Sequence, residues 1–143
     1  MTGFLLDTNV VSDAMKPLPS ATLLAWLRDQ DDRDLFISSI TLAEILRGIL
    51  EKPAGRKRSS LEEWFAGARG PQSLFEGRVL PFDQRAALVW ARLMADGRAR
   101  GKPRSAVDTF IAAIAQTNDC IVVTDNEKHF EGIEFVNPMR AGR

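Results

Sequence analysis

An α/β fold with a central parallel sheet is the architecture this sequence predicts, and two observations carry it. Short apolar runs recur along the chain at Phe4-Leu5-Leu6, Leu35-Phe36-Ile37, Val79-Leu80 and Ile121-Val122-Val123, each the length of a buried strand. Between them lie amphipathic stretches with helical spacing, and strands separated by helices pair in parallel through right-handed crossovers. The 143 residues are expected to form one domain, residues 1–143, long enough to bury a proper core. No internal repeat, low-complexity segment or linker interrupts them.

Each element follows from local signals. Phe4–Leu6 reads as the first strand, and Val10–Met15 as a short helix stopped before Pro17. Ser20 caps the next helix, which turns Leu23, Leu24, Trp26 and Leu27 inward and runs out in the acidic stretch 29–34. Leu35–Ile37 is the second strand and leads into a helix over Thr41–Leu50. Lys52–Arg58 reads as a basic loop broken by Pro53 and Gly55. Ser60 then starts a helix with Leu61, Trp64 and Phe65 at i, i+3, i+4 spacing, ended by 67–71. Val79-Leu80 is the third strand. Asp83 caps a long helix whose apolar face is Ala87, Leu88, Ala91, Leu93 and Met94, stopped near Gly97. After a basic loop, Asp108 opens the apolar helix Thr109–Ala115, with Ser105 as the alternative cap. Ile121–Thr124 is the next strand, and Phe135-Val136 a small last one.

Composition narrows the function. Apolar residues make up 45% and charged residues 27% of the chain, the balance of an ordinary globular protein. Lys+Arg and Asp+Glu both number 19, so no global field advertises nucleic acid, although a local basic rim remains compatible with that balance. Cys120 is the only cysteine, which excludes a disulfide within the chain and reads as a buried strand thiol. No apolar stretch reaches membrane-spanning length, and Phe4–Leu6 is too short for a signal sequence. A cytoplasmic protein is expected.

Three acids stand where an apolar run ends or a helix begins: Asp7, Glu44 and Asp108. In a parallel α/β sheet those places share one rim, where ligands bind. Carboxylates brought together there repel one another, and a hard divalent cation, Mg²⁺ or Mn²⁺ before zinc, is the natural occupant. Taken singly, each acid has a plainer reading. Asp7 can be an Asx-type cap. Thr41-Leu42-Ala43-Glu44 matches a capping box, and for Glu44 alone that reading prevails. Asp125-Asn126 is either a turn or a fourth metal-site or water-orienting pair. His129, the only histidine, has no partner at zinc-ligand spacing and reads as structural. There is no Gly-x-Ser-x-Gly, no phosphate-cradling glycine loop and no Cys-x-x-Cys.

In combination the motifs are far more specific. Asp7-Thr8-Asn9, the run from Ile40 to Gly48, the run from Asp108 to Ala115, and Val122-Val123-Thr124-Asp125-Asn126 follow in that order. With Ala95-Asp96-Gly97-Arg98, Gly101-Lys102-Pro103 and the ending from Phe130 to Pro138, the chain resembles the PIN domain over its whole length. The likeness is to the toxin nucleases of bacterial type II toxin–antitoxin modules, of the VapC and FitB type. The resemblance implies a PIN-like three-layer α/β/α sandwich and an endoribonuclease cutting RNA internally. It lays the family's Mg²⁺- or Mn²⁺-holding acids on Asp7, Glu44 and Asp108. The fourth acidic position falls on this pair: either Asp125 supplies the charge or Asn126 a neutral oxygen. Thr124 matches a hydroxyl that orients the attacking water. A cognate antitoxin, homodimers and larger toxin–antitoxin assemblies are implied in the same way.

With no histidine or cysteine placed as nucleophile, metal-activated water is expected to attack phosphorus directly. An acidic pocket repels phosphate, so a basic rim must counter it. Arg98, Arg100, Lys102 and Arg104 precede Asp108 in one loop, and Arg56-Lys57-Arg58 form a second patch; a merely solvated loop is the alternative. Two rival functions stay open. A haloacid-dehalogenase-like phosphatase also begins with a strand ending in Asp, but needs a second Asp where this chain has Asn9. A catalytically weak RNA- or protein-binding module would use the acids only as caps and solvated charges.

Overall fold

The computed structural model describes residues 3–140, so the outermost residues of the expected domain lie outside it. Its strands are β1 (Gly3–Leu6), β2 (Leu35–Ser38), β3 (Val79–Leu80), β4 (Cys120–Val123) and β5 (Phe135–Val136). They join in the order β3-β2-β1-β4-β5, and every neighbouring pair is parallel. The helices are α1 (Thr8–Ala14), α2 (Ala21–Arg28), α3 (Ser39–Leu50), α4 (Arg56–Ala66), α5 (Pro71–Leu74), α6 (Gln84–Ala99) and α7 (Ala106–Thr117). Short 3₁₀ turns cover Asp32–Asp34 and Glu127–Phe130.

Because side chains alternate along a strand, these apolar runs feed two cores at once. Leu5, Phe36, Leu80, Val122 and Phe135 point to one face, which α6 and α7 cover with Ala86, Val89, Trp90, Leu93 and the wholly buried run Ile111–Ala115. Leu6, Leu35, Ile37, Val79, Val123 and Val136 point to the other, covered from α1, α2 and α3 by Val10, Val11, Leu23, Trp26, Leu42 and Ile45. The result is the three-layer α/β/α sandwich with a central parallel sheet. Ile111 and Ile114 are 0% exposed, and burying each stabilises the fold by roughly 1.5–3 kcal/mol. Trp90 seals α6 to α7 by stacking on Phe110 at 5.0 Å and donating its indole N–H to the Ala106 carbonyl at 3.1 Å.

Several boundaries differ from expectation. Helix α1 begins at Thr8, not Val10, because Asp7 itself caps it. Helix α4 begins at Arg56, so Arg56-Lys57-Arg58 are its first turn rather than a loop; Arg58 offsets the unfavourable dipole by pairing with Glu62 at 2.8 Å. The single turn α5 was not foreseen. On α6 the buried face is Ala86, Val89, Trp90 and Leu93, one position away from the expected one, and Leu88 is 55% exposed. Gly97 does not stop that helix. Gly101, at φ 74°, does so: its N–H bonds the Arg98 carbonyl at 3.1 Å and the Lys102 N–H bonds the Gly97 carbonyl at 2.8 Å, a Schellman turn. Gly97 is required for a different reason, since a Cβ there would meet the Lys102 carbonyl oxygen at 2.8 Å.

The strand order decides where a site can lie. From β1 the chain builds outward to β2 and β3, then crosses to the far side of β1 for β4 and β5. The order reverses between β1 and β4, and a crevice opens there at the carboxyl ends of the strands. Asp7 and Thr124 are the residues that leave those two strands. Among the described residues, no helix is long and apolar enough to cross a membrane.

Candidate functional site

Asp7 stands at the reversal point. Its backbone N–H bonds the Val123 carbonyl at 2.9 Å, continuing the β1–β4 pairing one residue past the strands. Its side chain is 2% exposed, accepts from the Thr8 N–H at 2.7 Å as the cap of α1, and accepts the Thr124 hydroxyl proton at 2.7 Å. Burial nevertheless dominates and lifts the carboxyl from its ordinary 3.8 to about 6; the hydrogen bonds oppose this, while the charges of Asp108 and Glu44 add to it. Thus Asp7 is both the cap and an electrostatically burdened acid facing two others.

Glu44 is tied to Thr8, the residue after Asp7, by a hydroxyl. The capping-box reading does not hold: Ser38, the last residue of β2, caps α3 by accepting the Thr41 N–H at 3.1 Å, which puts Thr41 inside the first turn. Glu44 is thereby free to accept the Thr8 hydroxyl at 2.5 Å. Thr8 lies 3.0 Å from the Thr41 hydroxyl, and Thr41 accepts from Ser38 at 3.3 Å. Each hydroxyl has one proton, and a carboxylate can only accept. The chain must therefore run Ser38 to Thr41 to Thr8 to Glu44, a one-way relay that ties α3 to the start of α1.

Asp108 lies in the first turn of α7, capped by Ser105, whose hydroxyl accepts the Asp108 N–H at 3.4 Å. The Asp108 carboxylate is paired with His129 Nδ1. The Asn126 side-chain amide meets the same nitrogen at 2.8 Å. The amide nitrogen of Asn126 is the atom in contact, and one ring nitrogen cannot both donate to Asp108 and accept from that N–H, so the tautomer of His129 decides which of the two it serves. His129, read from sequence as structural, therefore joins the site. Only tertiary packing brings it to an acid so far upstream, and its spacing to Asn126 within one 3₁₀ turn was the sole local hint.

The remaining candidates divide. Thr124 donates its proton to Asp7 and accepts the Asn126 N–H at 2.9 Å, so its hydroxyl orients the Asp7 carboxylate. Asp125 is exposed, makes no hydrogen bond or ion pair among the described residues, and is not among the charges acting on Asp7. Of the pair, Asn126 is drawn into the network. In the basic loop Arg100 pairs with Asp96 and Lys102 with Glu131, both at 3.0 Å, and Arg104 donates to the Glu131 carbonyl at 2.9 Å. Arg98 is exposed on the last turn of α6.

The donor set suits a hard divalent cation. Asp108 from α7 and Glu44 from α3 raise the proton affinity of Asp7 at the exit of β1, and among the described residues no cation is among the groups acting on that carboxyl. The arrangement is not already chelating: among the described residues, no three Asp, Glu, His or Cys side chains stand close enough to hold one ion. Glu44 is turned onto Thr8 and Asp108 onto His129.

Known proteins resemble this chain along almost all of its length. The VapC ribonuclease Y4jK of Sinorhizobium fredii is 38% identical over 135 residues, covering 93% of this chain and 95% of its own. Toxin FitB of Neisseria gonorrhoeae is 36% identical over 126 residues, covering 88% and 89%. Among solved structures, a FitAB complex bound to a DNA fragment superposes with a TM-score of 0.86 at 32% identity, over 98% of both chains. The PIN domain profile matches residues 4–136, from the first buried strand to the last, and the chain belongs to the PIN domain family.

Proposed function

We propose that this chain is a metal-dependent endoribonuclease of the cytoplasm and the toxin of a type II toxin–antitoxin module. The observation that carries the reading is the buried Asp7 at the strand-order reversal, its carboxyl pushed up to about 6 with Asp108 and Glu44 adding to the shift. A protein gains nothing in stability from such a cluster, so its use is to hold a cation. Asp7, Glu44 and Asp108 would be the residues that hold Mg²⁺ or Mn²⁺. When bound, such an ion lowers the pKa of a water and offsets charge on the scissile phosphate. The chain's own residues do the positioning. Thr124 and the Thr8 N–H orient Asp7, the hydroxyl relay from Ser38 orients Glu44, and His129 sets the Asp108 carboxylate on the open side. The ribonuclease and toxin names of the relatives support the substrate class and the role.

An antitoxin partner fits the same surface. Beside Glu44, α1, α3 and α4 border an open groove of about 820 Å³ lined by Met15, Ile45, Ile49, Leu61 and Trp64. An arginine or lysine from the partner would pair with the acids while apolar side chains fill the groove. Of the three tryptophans only Trp64 lines that groove: Trp26 packs edge-on to Phe4 at 5.0 Å and Trp90 stacks on Phe110.

The binding-module reading keeps one observation in its favour, the lack of a ready chelating group. Purified protein incubated with RNA in Mg²⁺ or Mn²⁺ decides between them. The expected result is internal cleavage, abolished by EDTA and by Asp108→Asn in a folded variant. No cleavage under any divalent metal, with RNA or partner binding retained, would favour the module.

A further inference from the structure

A cavity of about 230 Å³ shares a wall with the acid cluster. That wall is His129, whose ring meets Asp108 on one side and lines the cavity on the other. Arg100, Lys102, Arg104 and Lys128 contribute four cations to the lining, against the carboxylates of Asp96 and Glu131. The excess is local, because the whole chain carries a formal net charge of zero.

The backbone assembles this cluster. The Schellman turn at the end of α6 folds the chain back across Gly97, where a Cβ would lie 2.8 Å from the Lys102 carbonyl oxygen and 3.1 Å from the Arg104 Cγ. Lys102 and Arg104 are thus drawn over the helix end towards residues 128–132. Arg104 is only partly satisfied there: one terminal nitrogen donates to the Glu131 carbonyl, while its Nε is buried with no acceptor. The Glu131 side chain bridges to Lys102 at 3.0 Å and is 68% exposed. Lys102 first, then Arg104, holds that carboxyl below its ordinary range, so it sits in a positive field. Lys128 is exposed and has no ion-pair partner among the described residues.

We propose that this cavity binds a backbone phosphate of single-stranded RNA next to the one presented to the acids. Lys102, Arg104 and Lys128 are its cations, and the Glu131 carboxylate is the anion that the phosphate displaces. The proposal rests on the ribonuclease reading above. It answers a difficulty of that reading, since an acid cluster repels the strand it must cut and a neighbouring phosphate has to be held by something else. The guanidinium of Arg104 suits a phosphate, and an exposed Lys–Glu pair is weak enough to exchange for one.

Steady-state cleavage of a labelled single-stranded RNA in Mg²⁺ tests this with variants at exposed side chains. Lys102→Ala and Lys128→Ala should each raise KM by about three- to tenfold and leave kcat within about twofold, as expected for a lost charge-assisted contact to substrate. The slope of log KM against log salt should fall by about 0.7 for each charge removed. Glu131→Gln, which keeps the carbonyl that holds Arg104, should lower KM. Arg33→Ala, beside the amino-terminal end of β2 and, among the described residues, paired only with Asp31, should change nothing. Cleavage with KM and salt slope unaltered in the Lys102→Ala/Lys128→Ala double variant overturns the subsite and leaves the ribonuclease reading intact. The same result with weakened binding of a purified partner protein assigns the cavity to an acidic peptide and also overturns it. Absence of cleavage by the wild-type protein overturns both.

Discussion

Replacing Asp7 by asparagine should stabilise the metal-free protein, and only above the pH at which this carboxyl ionises in the unfolded chain. Asp7 is 2% exposed, and burial with the charges of Asp108 and Glu44 lifts its pKa from 3.8 to about 6 in the fold. The unfolded chain returns to the ordinary value, so between those two pH values the folded state binds more protons than the unfolded one. Stability contributed by this group is therefore full below pH 3.8 and is lost as pH rises through about 6. At about 1.4 kcal/mol per pH unit of displacement, the ionised form costs the fold roughly 3 kcal/mol at pH 8. Asparagine keeps the acceptor for the Thr8 N–H but strands the Thr124 hydroxyl proton, which returns about 1 kcal/mol. The net gain at pH 8 is about 2 kcal/mol; it vanishes near about pH 4.5 and turns into a loss approaching about 1 kcal/mol at lower pH, where only the missing hydrogen bond remains. Urea denaturation of both proteins in EDTA from pH 4 to pH 8 measures this, and the difference between the curves cancels every other titrating group. A difference that does not vary with pH, or a variant less stable than wild type at pH 8, would refute the reasoning.

Thr8→Val removes the hydroxyl between Thr41 and Glu44 without changing side-chain shape; it should cost about 1–2 kcal/mol in a urea melt and slow RNA cleavage by about tenfold through a misdirected Glu44. Ser38→Ala should destabilise the protein by about 1 kcal/mol or more through the lost α3 cap, whereas Glu44→Ala should show no loss attributable to capping, and equal helix fraying by hydrogen exchange in the two would contradict that division. Gly70→Ala should be strongly destabilising, by about 3 kcal/mol, and is read by thermal melting. Its Cβ would lie 2.3 Å from the Phe65 carbonyl oxygen and 2.4 Å from that of Trp64, at the turn that joins α4 to α5.

The sheet was legible because its strands are apolar on consecutive residues, as burial on both faces demands. Phe4, Leu5 and Leu6 serve two cores, and no surface strand could be written that way. Helix boundaries were less legible wherever a tertiary contact outbid a local signal. Thr41 and Glu44 spell a capping box, but β2 ends at Ser38 and brings an earlier hydroxyl to the helix start. Gly97 looks like a helix stop and is a packing glycine, while Gly101 makes the turn. On α6 the paired residues Leu88 and Val89 are equally apolar, and only the position of α7 chooses Val89. For the site, the three acids could be picked out by their places at strand ends and helix starts. His129 could not, because its partner Asp108 lies on another element. Nor could Asp125 and Asn126 be told apart: the side chains diverge at the 3₁₀ turn after β4, which leaves Asp125 exposed and turns Asn126 towards His129.

The central claim is that Asp7, Glu44 and Asp108 jointly hold a divalent cation, and calorimetric titration of the protein with Mn²⁺ tests it most directly. Because the metal-free Asp7 is half-protonated near pH 6, binding there should expel part of a proton, seen as a dependence of the heat on buffer ionisation enthalpy. Saturable binding with that proton release at pH 6, little release at pH 8, and loss of binding in folded Asp7→Asn and Asp108→Asn variants are expected. Mn²⁺ binding of wild-type strength in either variant, or no saturable binding by the wild-type protein, would contradict the claim.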